Sequence, residues 1–353
     1  MFCEIRTPKA VYNLDIKRNI TLLQGNSGTG KTYLCRAVRG GMPVGTNIKC
    51  DMPVYSVTPV DVSYDAWFRK YSDSILFIDE SELEEFTGSF CKKAIEYGCR
   101  LVICSREAVN IQAEYAIDSV LVLHASGKYI TAEPKYVLSD QHHPEWQIIT
   151  EDSSSGLDFY RHVRPDTDTM FGKDSIKTWV CEKKRFHITY LVDGAAFGRC
   201  LEPVWLEYSR GNIDIVAPES FEFVLLHSPM LYEKEWLVLK DPETYGATSS
   251  KYYTWEQFFT DYLKKVMAPF GGYNKGKNAR CFTDDCCYKD ISCELARYSC
   301  TNKLQETLRN AGLGWIVPDN SKYIDELWEN VPPSLRAEYA GDREVLLRQL
   351  GLL

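Results

Sequence analysis

The 353-residue chain has no apolar run approaching the ~18–20 residues that a membrane-spanning helix needs. Its opening, Met1-Phe2-Cys3-Glu4-Ile5-Arg6, carries an acid and no apolar stretch, so it does not read as a signal peptide. Basic charge is in deficit: 41 Lys and Arg stand against 49 Asp and Glu, for a net charge of −8. No global positive field is there to draw in nucleic acid, so the charge gives that partner no support. Histidines number only 6, scattered, with no triad or metal spacing. The 13 cysteines are odd in number and irregular in spacing, unlike a secreted disulfide framework. These absences together predict a cytoplasmic protein with reduced thiols and no membrane partner.

What is present suffices for a packed core. Hydrophobic residues make up 44% and aromatic residues 13%, which argues against disorder in any large part of the chain. The length predicts two domains. Residues 1–150 alternate strand and helix signals. Ile20–Gln24, Ile75–Ile78, Leu101–Cys104 and Ser119–Leu123 are short apolar runs suited to buried strands. Helices are expected from about Lys31 to Arg39, from Asp65 to Tyr71, and before Gly98. That alternation predicts an α/β fold: a layered, mainly parallel sheet with helices on both faces. The polar stretch Ser139 to Gly156 reads as a linker, with the boundary near residue 150. Residues 151–353 read as a second α/β or α+β domain, helical toward its end.

The strongest motif is Gly25-Asn26-Ser27-Gly28-Thr29-Gly30-Lys31-Thr32, which fits G-x-x-x-x-G-K-[ST] between an apolar strand and a helix. Glycines let the backbone wrap phosphate closely, and the loop amides with the helix N-terminus point partial positive charge at it. Lys31 is expected to reach the β- and γ-phosphates, and Thr32 to offer its hydroxyl to Mg²⁺. The second element is Ile75-Leu76-Phe77-Ile78-Asp79-Glu80, an apolar strand ending in acids. Asp79 would hold the metal through its water shell, and Glu80 would polarise the attacking water.

These two segments resemble the Walker A and Walker B motifs of P-loop NTPases, over roughly the first 140 residues. The Asp-Glu pair is similar to that of hydrolysing ATPases of the AAA and ABC types. The resemblance implies ATP and magnesium as ligands and a polar sensor at Ser105, with Arg106 an even choice between sensor and surface charge. It also implies a neighbouring copy or partner protein that completes the site. Departures keep the subfamily open. There is no Leu-Ser-Gly-Gly signature, no arginine-rich lid, no helical lid domain and no Asn/Thr-Lys-x-Asp motif, the last favouring ATP over GTP.

The second domain offers weaker signals. Tyr190-Leu191-Val192-Asp193-Gly194 is an apolar strand ending in an acid, and Glu219 and Glu222 follow another strand at helical spacing. Together the three carboxylates could bind a divalent metal, an arrangement that faintly resembles Toprim-like nuclease folds. The alternative is ordinary helix N-terminal acids. Cys281, Cys286, Cys287, Cys293 and Cys300 cluster within a short span, where zinc ligation competes with coincidental cysteines. Lys183-Lys184-Arg185 and Lys275 to Arg280 are basic stretches that read as phosphate contacts or as solvated charge. Three functions follow: an ATP hydrolase that drives or gates its second domain, a nucleotide-dependent switch with little turnover, and an ATP-controlled nuclease-like effector.

Overall fold

The computed structural model describes residues 1–26, 28–39, 45–57, 64–80, 88–106, 114–228, 252, 255–268, 273, 304–317, 328–329, 331–339 and a few positions from 341 to 350. Among them the chain is a mixed α/β protein with one nine-stranded and one four-stranded sheet. The large sheet runs β4-β1-β2-β9-β8-β3-β7-β6-β5. Its strands are β1 (Phe2–Arg6), β2 (Val11–Asp15), β3 (Ile20–Gln24), β4 (Asn47–Cys50), β5 (Val54–Ser56), β6 (Ile75–Asp79), β7 (Arg100–Ser105), β8 (Val120–Ser126) and β9 (Tyr129–Pro134). The four expected apolar runs form the parallel strands β8-β3-β7-β6, and β5 extends the block beside β6. β4 carries no apolar run; it pairs antiparallel with β1 at the sheet edge.

Side chains along a strand alternate between faces, and this sorts the core into two layers. Leu23, Ile75, Phe77, Val102 and Cys104 pack with Leu34, Cys35 and Val38 of helix α1 (Lys31–Val38). Leu22, Leu76, Ile78, Leu101 and Ile103 face the other way, toward Phe68 of α2 (Tyr64–Tyr71) and Phe90 and Ile95 of α3 (Gly88–Glu96). Gly98, past α3, has φ +76°, the left-handed conformation of a helix stop.

The small sheet is all parallel, in the order β11-β10-β12-β13. It comprises β10 (Gln147–Thr150), β11 (Asp168–Thr169), β12 (Ile188–Leu191) and β13 (Asp214–Val216). β10 lies inside the stretch that reads as a linker, where the apolar pair Ile148-Ile149 is buried on opposite faces of the sheet. The helices here are α4 (Ser155–Val163), α5 (Gly198–Leu201), α6 (Trp205–Ser209), α7 (Phe221–Leu225) and α8 (Trp255–Met267). Ser220 caps α7, its hydroxyl accepting the Phe223 amide proton at 3.1 Å. Ile148, Leu191 and Val216 pack against α4, α7 and α8, whereas Ile149, Tyr190 and Ile215 share a core with Tyr115, Ile117, Val120 and Tyr136 beside the large sheet.

The two sheets are thus joined by a continuous apolar layer, reinforced by backbone contacts. Ile117 N–H donates to the Gly194 carbonyl at 3.0 Å, and Gly198 N–H to the Tyr115 carbonyl at 2.9 Å. A Cβ at Gly198 would sit 2.6 Å from the Ala116 carbonyl oxygen, so only glycine permits this approach.

Candidate functional site

The C-terminal ends of β3, β7 and β6 lie side by side, with Gln24 opposite Ser105 and Asp79 opposite Cys104. Chain segments leaving that edge line one cavity of about 640 Å³. Its walls are Asn26, Gly28, Thr29, Gly30, Lys31, Thr32, Tyr33, Arg36, Asp79, Glu80, Cys104 and Arg106. The loop following β3 therefore meets the acids ending β6 across the intervening β7. Gly28 and Gly30 have φ +89° and +92°, where a side chain would be strained. Ser27 lies outside the described residues.

Lys31 is buried and folded back over its own loop. Its Nζ donates to the Gly25 carbonyl, and reaches the Asn26 carbonyl and the Thr29 hydroxyl at 3.3 Å each. Burial lowers the Lys31 pKa, against the opposing pull of nearby Cys104 and Glu80. Thr32 is exposed and Asp79 half-buried at the cavity. Glu80 accepts the Arg106 backbone N–H at 3.1 Å, with the Arg106 guanidinium 3.9 Å away.

Ser105 does not line this cavity. Strand alternation puts Cys104 on the α1 face and Ser105 on the other, where it is buried. Its neighbours Cys104 and Arg106 line the cavity instead. Tyr33, Arg36 and Cys104 are wall residues that motif matching did not nominate. For Arg36 the signal was available, because it lies four residues after Thr32 and so shares its helix face.

The second carboxylate group is arranged differently. Glu219 is committed to Arg18, which holds both its oxygens at 2.8 and 2.9 Å. Arg18 also clamps both Asp118 oxygens and is itself buried. Glu222 is fully buried, with the Tyr273 hydroxyl 3.4 Å from it. The Asp193-Gly194 turn sits at the junction with the large sheet through the Ile117–Gly194 bond. Among the described residues no group of three or more His, Cys, Asp or Glu is placed to hold a metal ion. The proposed metal triad of Asp193, Glu219 and Glu222 is therefore not assembled. Cys281, Cys286, Cys287, Cys293 and Cys300, and the basic stretch from Lys275, lie outside the described residues. The described cysteines are free thiols, and no helix among the described residues is long and apolar enough to cross a membrane.

A second polar chain starts directly beneath the loop. Gln24, the last residue of β3, accepts from Lys135 Nζ at 2.9 Å. Lys135 and the Tyr136 hydroxyl both donate to Glu202, which follows α5. No protein-family model matches this chain, and no curated protein or solved structure matches it either.

Proposed function

We propose that the protein is a magnesium-dependent ATPase whose nucleotide-binding unit drives or gates its second unit. One observation carries this reading. A glycine-rich loop with Lys31 and Thr32 and a strand end bearing Asp79 and Glu80, distant in sequence, line the same cavity. The sheet supports a P-loop NTPase assignment, since the parallel neighbours β3, β7 and β6 present their C-terminal ends to that cavity, the edge where α/β proteins bind ligands.

The donor set fits the implied cation: Thr32 offers a hydroxyl and Asp79 a carboxylate, both hard oxygen ligands at the cavity. Bound there, magnesium would neutralise charge on the phosphate oxygens. The amides at the start of α1 would bind the phosphates, and the Lys31 ammonium would exchange its loop carbonyls for phosphate oxygens. Glu80 would orient the attacking water and accept its proton once released from the Arg106 amide. ATP is preferred over GTP because the sequence has no Asn/Thr-Lys-x-Asp motif.

The polar chain Gln24–Lys135–Glu202 favours a second reading, a nucleotide-dependent switch with little turnover. It links the end of the loop strand to the second unit through Lys135. Steady-state phosphate release by wild type, Lys31→Ala and Glu80→Gln, with and without DNA and RNA, separates the two. An ATPase loses turnover in both variants, while Glu80→Gln still binds ATP. A wild type that binds nucleotide yet releases no phosphate under any of these conditions leaves the switch.

A further inference from the structure

We propose that Tyr12 is a positioning residue for the phosphate-binding loop, a role that rests on the nucleotide-binding reading above. Tyr12 lies in β2, between Ile5 of β1 and Ile130 of β9, and is fully buried. Its hydroxyl donates to the Gly30 carbonyl at 2.9 Å, across 18 residues of sequence. Burial pushes the Tyr12 pKa upward, so the hydroxyl keeps its proton and remains a donor.

The Gly30 carbonyl is the hinge between loop and helix. It also accepts the Leu34 amide proton at 2.8 Å, the first bond of α1. No peptide bond in the described chain is cis, and a trans peptide points its C=O and its N–H in opposite directions. With the Gly30 oxygen held by Leu34 and Tyr12, the Lys31 N–H is turned away from the helix toward the cavity that Gly30 and Lys31 line. That amide is one of the donors a phosphate would meet. Tyr12 thereby fixes the aim of a backbone donor without touching the ligand.

The contact also explains why glycine stands at position 30 beyond its positive φ. A Cβ there would lie 2.5 Å from the Tyr12 hydroxyl oxygen, while its next neighbours, Ile130 and the Tyr12 ring, lie at 3.5 Å. Tyr12 and Gly30 are therefore coupled by sterics as well as by the hydrogen bond. Strands β1, β2 and β9, which the motif does not include, act as a buttress under the loop: β2 pairs antiparallel with β1 and parallel with β9.

The test is calorimetric titration of the full chain with a non-hydrolysable ATP analogue and magnesium, comparing wild type, Tyr12→Phe, Gly30→Ala and the double variant. Tyr12→Phe is expected to raise Kd about fivefold, the worth of one hydrogen bond, with unchanged stoichiometry. The Kd increase from Gly30→Ala should be smaller in the Tyr12→Phe background, where the closest clash is gone. An unchanged Kd for Tyr12→Phe overturns the proposal. So does a fall in stoichiometry at constant Kd, which reports unfolded protein and not a misaimed donor. A wild-type chain that binds no nucleotide removes the reading beneath it, and is distinguishable because the variants then have no reference affinity to lose.

Discussion

The strand ends of β6 and β12 look alike in sequence: each is an apolar run closing on an aspartate, Asp79 in one and Asp193 in the other. The fold uses them for opposite purposes. Beyond β6 the carboxylates face a cavity whose other wall is a glycine-rich loop with an adjacent cation. Beyond β12 the chain turns at Gly194 into backbone contact with the first unit, and the neighbouring acid Glu219 is neutralised by buried Arg18. Acids at a parallel-sheet edge thus take their role from what the topology sets opposite them. Opposite a loop of amides they can serve a ligand; opposite a buried guanidinium they join two parts of one molecule.

The contrast is sharpest in turnover. Glu80→Gln keeps the shape and hydrogen-bonding reach of the side chain but removes its proton acceptor. It is expected to lower kcat by roughly 10²–10⁴, the usual contribution of a general base, with nucleotide binding retained. Glu219→Gln should leave kcat within about twofold, because Glu219 belongs to the Arg18 clamp and not to the cavity wall. Parallel phosphate-release assays on the two variants measure the difference. Equal losses in both would break the comparison and return Glu219 to the catalytic candidates.

Stability should show the reverse order. Arg18 is buried and holds four carboxylate oxygens, two from Asp118 and two from Glu219. Burial alone would lower its pKa, and the two carboxylates more than restore it, so the guanidinium stays charged. Arg18→Ala leaves those carboxylates without their counter-ion and is expected to cost about 3 kcal/mol of unfolding free energy. Chemical denaturation of Arg18→Ala beside Glu80→Gln tests this, since the Glu80 side chain is 43% exposed and its replacement should change stability by under ~0.5 kcal/mol. A two-step unfolding curve for Arg18→Ala would reveal that the clamp holds together two units that otherwise unfold separately.

What was legible in the sequence was local. The glycine loop, its helix and the acid-ended strand announce themselves through fixed spacing and short apolar runs, and all but Ser27 of these site residues were placed at or beside the cavity. Contacts that depend on sheet order were not legible. Tyr12 meets Gly30, Lys135 meets Gln24 and Arg18 meets Glu219 across separations of 18, 111 and 201 residues, and no window around either partner hints at the other. Ser105 differs for a smaller reason: its strand is legible, but alternation turns Cys104 toward the cavity and Ser105 away, and Arg106, just past the strand, lines the cavity too. β10 reads as linker in the sequence because four residues flanked by polar chain give too short a pattern to declare a strand.

The smallest expected effect probes the junction through pH. Burial pushes the Glu202 carboxyl up, but hydrogen bonds from Lys135 and Tyr136 overcome it and hold its pKa below the ordinary glutamate value. A carboxyl whose folded pKa is depressed adds stability that is fully present above its unfolded pKa, near 4.5. That contribution is lost as the pH falls through the lower, folded value. With its side chain 42% exposed, the contribution is screened and should be under ~1 kcal/mol. Unfolding free energy measured from pH 6 down to about pH 3 should therefore fall less steeply in Glu202→Gln than in wild type below pH ~4.5. If the Gln24–Lys135–Glu202 chain also carries a signal, nucleotide binding will protect the Gly198–Ser209 segment from hydrogen exchange in wild type and protect it less in the variant. Identical protection in both would leave Glu202 a purely structural anchor and place any coupling between the two units on the Arg18 side of the junction.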